Sequence, residues 1–506
     1  MRPFEILLVL VNLLTFVVVV VPLPRAVGYV APIALLIAVA QVLVEGPRWQ
    51  MAPAYALAGL LVLAGLLPHS APTVVDGVKP HRLAVGLGIG LGALWLAASI
   101  ALPLVLPVFR FPPPSGPYAI GTLTYHWVDA ARREIFSANP TDRRELMVQI
   151  WYPAKGGTSS SRAAYVQDAG ALSPALARLV HAPGFTFAHF QYVTTHAIPS
   201  APVSDAAPSY PVLIFLEGLN GFRQMNTFQV EALVAQGYIV AAIDQPYAAA
   251  SVVFPDGRQI TGWSRDQMNP LIQQSLSPVK PAPVLNGQAL MDGIIPYFAQ
   301  DVSFTLDQLT SLNTADPSGV LTGRLDLHHV GTFGISLGAI VASEACRIER
   351  RLQACLMMDA AMPAAVVQAG LRQPSMWLTR DAATIRLERQ RAGGWSEAEI
   401  SQTLTTMRAV FAKSAPVDGY YVQVPGMFHL NFTDTPAFSP LAPQLGFAGP
   451  IKVERAHRII NAYTLAFFDR HLKGRPAARF DALAEYYPEV RFETRRPYAA
   501  GDEQPS

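Results

Sequence analysis

The 506 residues predict an α/β domain with a mostly parallel sheet, preceded by a four-helix transmembrane region. Three observations carry this: a charge deficit concentrated at the N-terminus, alternating strand-like and helix-like runs after it, and a Gly-x-Ser-x-Gly turn. Charged residues make up 15% of the chain and hydrophobic ones 51%, against roughly 25% charged in an ordinary soluble domain. Only nine charges (Arg2, Glu5, Arg25, Glu45, Arg48, Asp76, Lys79, Arg82 and Arg110) fall in residues 1–110. This composition excludes a disordered chain, and two cysteines exclude a disulfide scaffold. A formal net charge of +2 gives no reason to expect nucleic acid as a partner.

Residues 1–110 read as the transmembrane region. Nineteen uncharged residues separate Glu5 from Arg25, nineteen separate Arg25 from Glu45, and twenty-seven separate Arg82 from Arg110. A fourth stretch, Met51 to Leu67, has seventeen. A helix crosses the hydrocarbon core in about 17–25 such residues, so four spans and a lipid bilayer as partner are expected. Pro22-Leu23-Pro24, Gly46-Pro47 and the run from Pro68 to Arg82 supply the joints. A signal peptide is the weaker reading of the first stretch, because three more follow and no small-x-small cleavage site ends it. The multi-pass topology has no readable orientation. Arg2, Arg48 and Arg110 fall on one face, and Arg25, Lys79 and Arg82 on the other.

Residues 111–116, with Pro112-Pro113-Pro114, read as a stiff linker, 117–495 as a catalytic domain and 496–506 as a polar tail. Tyr118–Tyr125 and Leu146–Tyr152 predict an antiparallel start to the sheet. Val212–Leu216, Tyr238–Ile243, His329–Phe333, Ala354–Met358, Ser375–Leu378 and Tyr420–Val424 then alternate with helical patterns, which argues for parallel strands covered on both faces. The segment Ser264 to Gln288 reads as a flap or a plain surface excursion.

The chemistry concentrates around Gly334-Ile335-Ser336-Leu337-Gly338. A strand precedes it and an apolar helix follows, the setting in which such a turn holds a serine hydroxyl above a sheet at a helix N-terminus. Ser336 is the expected nucleophile, with Gly334 and Gly338 as the elbow glycines. A serine needs a base, and His429, in the loop after Tyr420–Val424, stands in the required chain order. Two acids compete. Asp359 ends the strand after the nucleophile, in apolar surroundings with no adjacent cation in sequence. Asp381 comes one strand later, beside Arg380, which offers it a surface ion pair. The oxyanion needs two N–H donors, expected from Leu337 and, in the loop Glu217-Gly218-Leu219-Asn220-Gly221, from Leu219. No metal or organic cofactor is expected. Cys346 and Cys355 fit either a disulfide or two buried thiols.

From roughly Gly116 to Arg475 the chain resembles bacterial members of the platelet-activating factor acetylhydrolase family, which have the α/β-hydrolase fold. The likeness rests on the elbow, on Leu216-Glu217-Gly218-Leu219, and on the run from Asp301 to Leu309. Further matches are Ala354–Asp359, His429–Asp434 and the closing helix from Tyr463 to Asp469 with Leu472-Lys473-Gly474. The resemblance implies Asp359 rather than Asp381 as the acid. It also implies hydrolysis of small esters or phospholipids with short or oxidised acyl chains. Two positions depart from the pattern: Glu217 and Ile335 stand where the family usually or often has histidine. Glu217 opposes an oxyanion unless it is protonated, paired with a cation such as Arg223, or turned away. An acyltransferase using the same triad, or an inert hydrolase-like membrane protein, are the alternative functions.

Overall fold

The computed structural model describes residues 1–21, 30–66, 80–156, 161–414, 417–476 and 478–495. The joint at Pro22–Arg25, the connection from Pro68 to Lys79 and the tail 496–506 lie outside them. The N-terminal region forms helices α1 (Pro3–Val20), α2 (Val30–Glu45), α3 (Ala52–Leu66) and α4 (Pro80–Val105). Four helices are present, but among the described residues they do not make four full spans. Among the described residues only Gly86–Val105 is long and apolar enough to cross a membrane. As described, α2 has 16 residues and α3 has 15, roughly 24 and 22 Å at about 1.5 Å per residue. A tight turn at Trp49–Met51 precedes α3, which begins at Ala52.

These helices turn apolar side chains outward and polar ones inward. Leu36, Leu43 and Leu94 are 69%, 79% and 67% exposed, whereas Glu5, Asn12 and Gln41 are buried. Glu5 pairs with Arg48 at 2.7 Å and with Arg2 at 2.8 Å, and Asn12 Nδ2 donates to the Ala54 carbonyl at 2.9 Å. The turn between α2 and α3 docks on the larger domain. Trp49 Nε1 donates to the Thr186 carbonyl at 3.2 Å, the Tyr192 hydroxyl donates to the Pro47 carbonyl at 2.6 Å, and Gln50 Nε2 lies 2.9 Å from His189 Nδ1. The expected linker is seated rather than free at its start: Phe109 and Phe111 pack with Tyr165, Phe190 and Phe438.

The larger domain runs through β1 (Ala119–Arg133), β2 (Arg143–Ala154), α5 (Ala169–Leu179), β3 (Ala197–Pro199), β4 (Tyr210–Leu216), α6 (Thr227–Ala235) and β5 (Ile239–Asp244). It continues with α7 (Arg265–Leu276), α8 (Ile295–Thr314), β6 (Leu325–Ile335), α9 (Leu337–Ile348), β7 (Leu352–Met358), α10 (Ala364–Ala369) and β8 (Ser375–Thr379). It ends with α11 (Ala382–Ala392), α12 (Glu397–Lys413), β9 (Gly419–Gln423), α13 (Val453–Lys473), α14 (Ala478–Tyr486) and β10 (Arg491–Arg495). The ten strands lie in the order β10-β9-β8-β7-β6-β4-β5-β2-β1-β3. β4 to β9 are parallel, β2 pairs antiparallel with β1 and β5, and β10 closes the far edge antiparallel to β9. This is the expected α/β arrangement, with two strands beyond the eight expected: the short β3 at one edge and β10 at the other.

Both faces of the sheet are covered. Along β4, Val212, Ile214 and Leu216 enter a core with α8 and α9, while Leu213 and Phe215 enter the other with α6 and α13. Alternate burial in two cores is why β4 reads as an unbroken apolar run. A buried Phe such as Phe215 is worth about 3–5 kcal/mol against alanine. Cys346 at the end of α9 is bridged to Cys355 in β7, with 6.5 Å between their Cα atoms.

Candidate active site

Ser336 sits between β6 and α9 with φ 56° and ψ −122°, a backbone conformation that side chains rarely adopt. Its N–H donates to the Met358 carbonyl at 3.0 Å, tying the turn to β7. The flanking glycines are obligatory on space. A Cβ on Gly334 falls 2.4 Å from the Gly338 backbone, and one on Gly338 falls 2.1 Å from the Leu216 carbonyl oxygen. The serine therefore protrudes, partly buried, from the C-terminal end of the interior strand β6 into a cavity of about 410 Å³. Leu219, Leu337, Asp359 and His429 line that same cavity, so the expected site residues come together.

His429 leaves β9 through a loop that Asn431 fastens. Asn431 Oδ1 accepts from the N–H groups of Phe428 at 2.7 Å and Gly449 at 2.8 Å. The imidazole Nδ1 lies 2.6 Å from Asp359 Oδ2. Asp359, at φ 50°, is fully buried, and its Oδ1 accepts from the Thr379 hydroxyl at 3.0 Å. Burial alone raises such a carboxyl. The charge of Arg380 and the bond to His429 overcome this and hold it below the ordinary carboxylate range.

The alternative acid is employed elsewhere. Asp381 is the N-cap of α11, its side chain accepting from the Thr384 N–H at 2.8 Å. Arg380 also departs from expectation. It is fully buried, not at the surface, and its Nε stands 2.8 Å from Asp359 Oδ2. The cation that sequence adjacency awards to Asp381 serves Asp359 instead.

In the loop after β4, the Asn220 N–H donates to Ala248 at 2.7 Å and the Gly221 N–H to Gly218 at 2.8 Å. Among the described residues, no carbonyl takes the N–H of Leu219 or of Leu337. The loop lies close to the serine: a Cβ on Gly218 would stand 3.2 Å from Ser336 Cβ.

Glu217 does not pair with Arg223, whose guanidinium and N–H both go to Asp244. It is buried, accepts from the Gln245 N–H at 3.0 Å, and has no partner for Oε2 among the described residues. Burial, and then the neighbouring Asp244, push its carboxyl well above the ordinary range. Burial raises Asp244 too, but the charge and hydrogen bonds of Arg223 counter this, so Glu217 holds its proton more firmly than its neighbour. Over the cavity, α7 and α12 face each other. Arg265 and Glu399 pair across it at 2.9 Å, so the stretch expected as a flap does border the site.

Residues 106–261 match the family model described as platelet-activating factor acetylhydrolase, isoform II. That match begins before the expected Gly116 and stops short of Ser336. A probable 1-alkyl-2-acetylglycerophosphocholine esterase from Arthroderma benhamiae is 23% identical over 409 residues, spanning 76% of this chain and 94% of its own. Among solved structures, a ferulic acid esterase from Streptomyces cinnamoneus is similar with a TM-score of 0.56 and 28% identity, covering 76% of this chain and 99% of that one.

Proposed function

We propose that this chain, a carboxylic ester hydrolase, works as a membrane-held serine esterase through Ser336, His429 and Asp359. The observation that carries the reading is the 2.6 Å contact of His429 Nδ1 with the buried Asp359, in the one cavity that also receives the strained Ser336. Because Asp359 stays ionised, it holds the proton on Nδ1 and leaves Nε2 free to accept one. His429 takes the Ser336 proton as Oγ attacks the acyl carbonyl. The N–H groups of Leu219 and Leu337 receive the oxyanion, and His429 returns the proton to the departing alcohol. Water then releases the acyl group by the same path. Removing one such oxyanion donor costs about 10²–10³ in kcat in comparable sites.

The substrates we assign are small esters and phospholipids with short or oxidised acyl chains. Support comes from the named activity of the Arthroderma relative and from a cavity whose floor is Leu276, Ile272, Ile340 and Ala361. The outward apolar faces of α1 to α4 and the length of Gly86–Val105 support attachment to a bilayer. The Cys346–Cys355 bridge favours an oxidising side of that membrane for the catalytic domain. Ser336→Ala should abolish turnover of p-nitrophenyl acetate and p-nitrophenyl butyrate. Wild-type turnover by that variant would overturn the assignment.

A further inference from the structure

We propose that Arg380 and Glu388 form a positioning pair for the Asp359–His429 couple, Arg380 holding the carboxylate and Glu388 holding the backbone of the histidine. The inference rests on the reading of His429 as base, and it adds two residues that touch no substrate. Asp359 Oδ2 meets both His429 Nδ1 at 2.6 Å and, in an ion pair without hydrogen-bond geometry, Arg380 Nε at 2.8 Å, so the guanidinium charge sits against the oxygen that orients the imidazole. Arg380 Nη1 pairs with Glu388 Oε2, and Glu388 Oε1 accepts the His429 N–H at 3.1 Å. The chain of contacts therefore closes on itself: Asp359, Arg380, Glu388, the main chain of His429, and its ring back to Asp359.

Helix α11 carries this arrangement as a rigid body. Besides Glu388, its Thr384 hydroxyl accepts the Gly426 N–H at 3.0 Å, so one helix grips the histidine loop at two points. Asp381, capping α11, fixes where that helix begins. Trp395 covers the outer side. Its ring lies 4.9 Å from the guanidinium and 5.1 Å from the His429 ring, and it lines the cavity.

The charges explain why a buried arginine is tolerated here. Around the imidazole stand two carboxylates, Asp359 and Glu388, and one cation, Arg380. Arg265 and Glu399, across the cavity, pair with each other. The Tyr421 hydroxyl, raised to about 12 by burial above all, stays neutral. With Arg380 present the imidazole faces a net charge of −1, and protonation makes the cluster neutral. Without it two carboxylates face the ring unopposed, which favours the imidazolium over the neutral form a base requires.

The test is the pH dependence of kcat/KM for p-nitrophenyl acetate, measured on the full-length, detergent-solubilised protein. Arg380→Met should move the acid limb upward by roughly one pH unit, and lower kcat about tenfold or more at neutral pH with KM little changed. Arg380→Lys keeps the charge and should leave the limb in place while lowering kcat. Glu388→Gln should move the limb downward. Limbs of R380M and E388Q that coincide with wild type would overturn the pairing, as would unchanged kcat in both. Should R380M fail to fold, E388Q decides alone, a downward shift supporting the proposal and no shift refuting it. A wild-type profile lacking any acid limb, or activity retained by S336A, would instead refute the base and nucleophile themselves.

Discussion

Glu217→Gln separates a protonated Glu217 from an ionised one. Glutamine keeps the oxygen that accepts the Gln245 N–H at 3.0 Å and matches the carboxylic acid in shape, but it cannot titrate. In the wild type, burial and Asp244 raise the carboxyl well above its ordinary 4.5. Above that pH the unfolded chain releases this proton while the folded protein keeps it. The folded state then binds more protons, so stability from this group is whole below pH 4.5 and drains as pH climbs toward the raised folded value. The loss is about 1.4 kcal/mol for each pH unit crossed in that window. E217Q lacks it. Thermal melts of wild type and E217Q from pH 5 to pH 8 should therefore diverge, the variant gaining on the wild type as pH rises. Each kcal/mol corresponds to roughly 2 °C or less in a domain of this size. Turnover should change by less than about threefold, because a protonated Glu217 and a glutamine carry the same charge. A melting difference flat across the range, or a large rise in kcat from relief of a negative charge, would refute the argument.

Three further outcomes follow from the same structure. Asp359→Asn should lower kcat by orders of magnitude, about 10⁴ by comparison with similar triads. Asp381→Asn, assayed beside it, should leave kcat near wild type; equal losses would return Asp381 to contention. Replacing Cys346 and Cys355 together by serine opens a short loop and should lower stability by about 2–3 kcal/mol, read from chemical denaturation of the purified protein; no change would mean the pair does not bridge in solution. Membranes washed with alkaline carbonate should retain the full-length protein and release it in detergent, whereas recovery in the wash would remove the bilayer from the proposed function.

What the sequence reveals of the site follows from where its information is local. The elbow is legible because steric demand falls on consecutive positions, Gly334 and Gly338 about Ser336. His429 is legible because it occupies the loop after a strand that reads plainly as one. Arg380 is misread for the opposite reason. Sequence places it beside Asp381, but Asp381 turns outward to cap α11 while Arg380 turns inward to Asp359, 21 positions away in the chain. Arg223 is likewise drawn to Asp244, which ends β5, the immediate sheet neighbour of β4. Sheet order decides that pairing and cannot be read from one chain. The closing strand β10 is hidden because Arg491–Arg495 is polar throughout except for Phe492, the composition of an edge rather than of a core. Hydropathy located the four N-terminal helices, and among the described residues it left out the tight turn Trp49–Met51 that precedes α3.

The seam between the helical region and the larger domain has a geometric consequence. Trp49, Gln50 and Pro47 meet Thr186, His189 and Tyr192 directly, and Phe109 and Phe111 are sunk in a core, so the chain passes from one part to the other without slack. An enzyme on a long leash sweeps a volume and finds its ester wherever it lies. On the proposed bilayer anchor, an enzyme seated this way would keep its serine at one height and one tilt above the membrane plane. Turnover on lipid would then depend on how far an ester group can rise to that level. Lipids whose acyl chains hold them less firmly in the bilayer would have the advantage, whatever the chemical appetite of the serine.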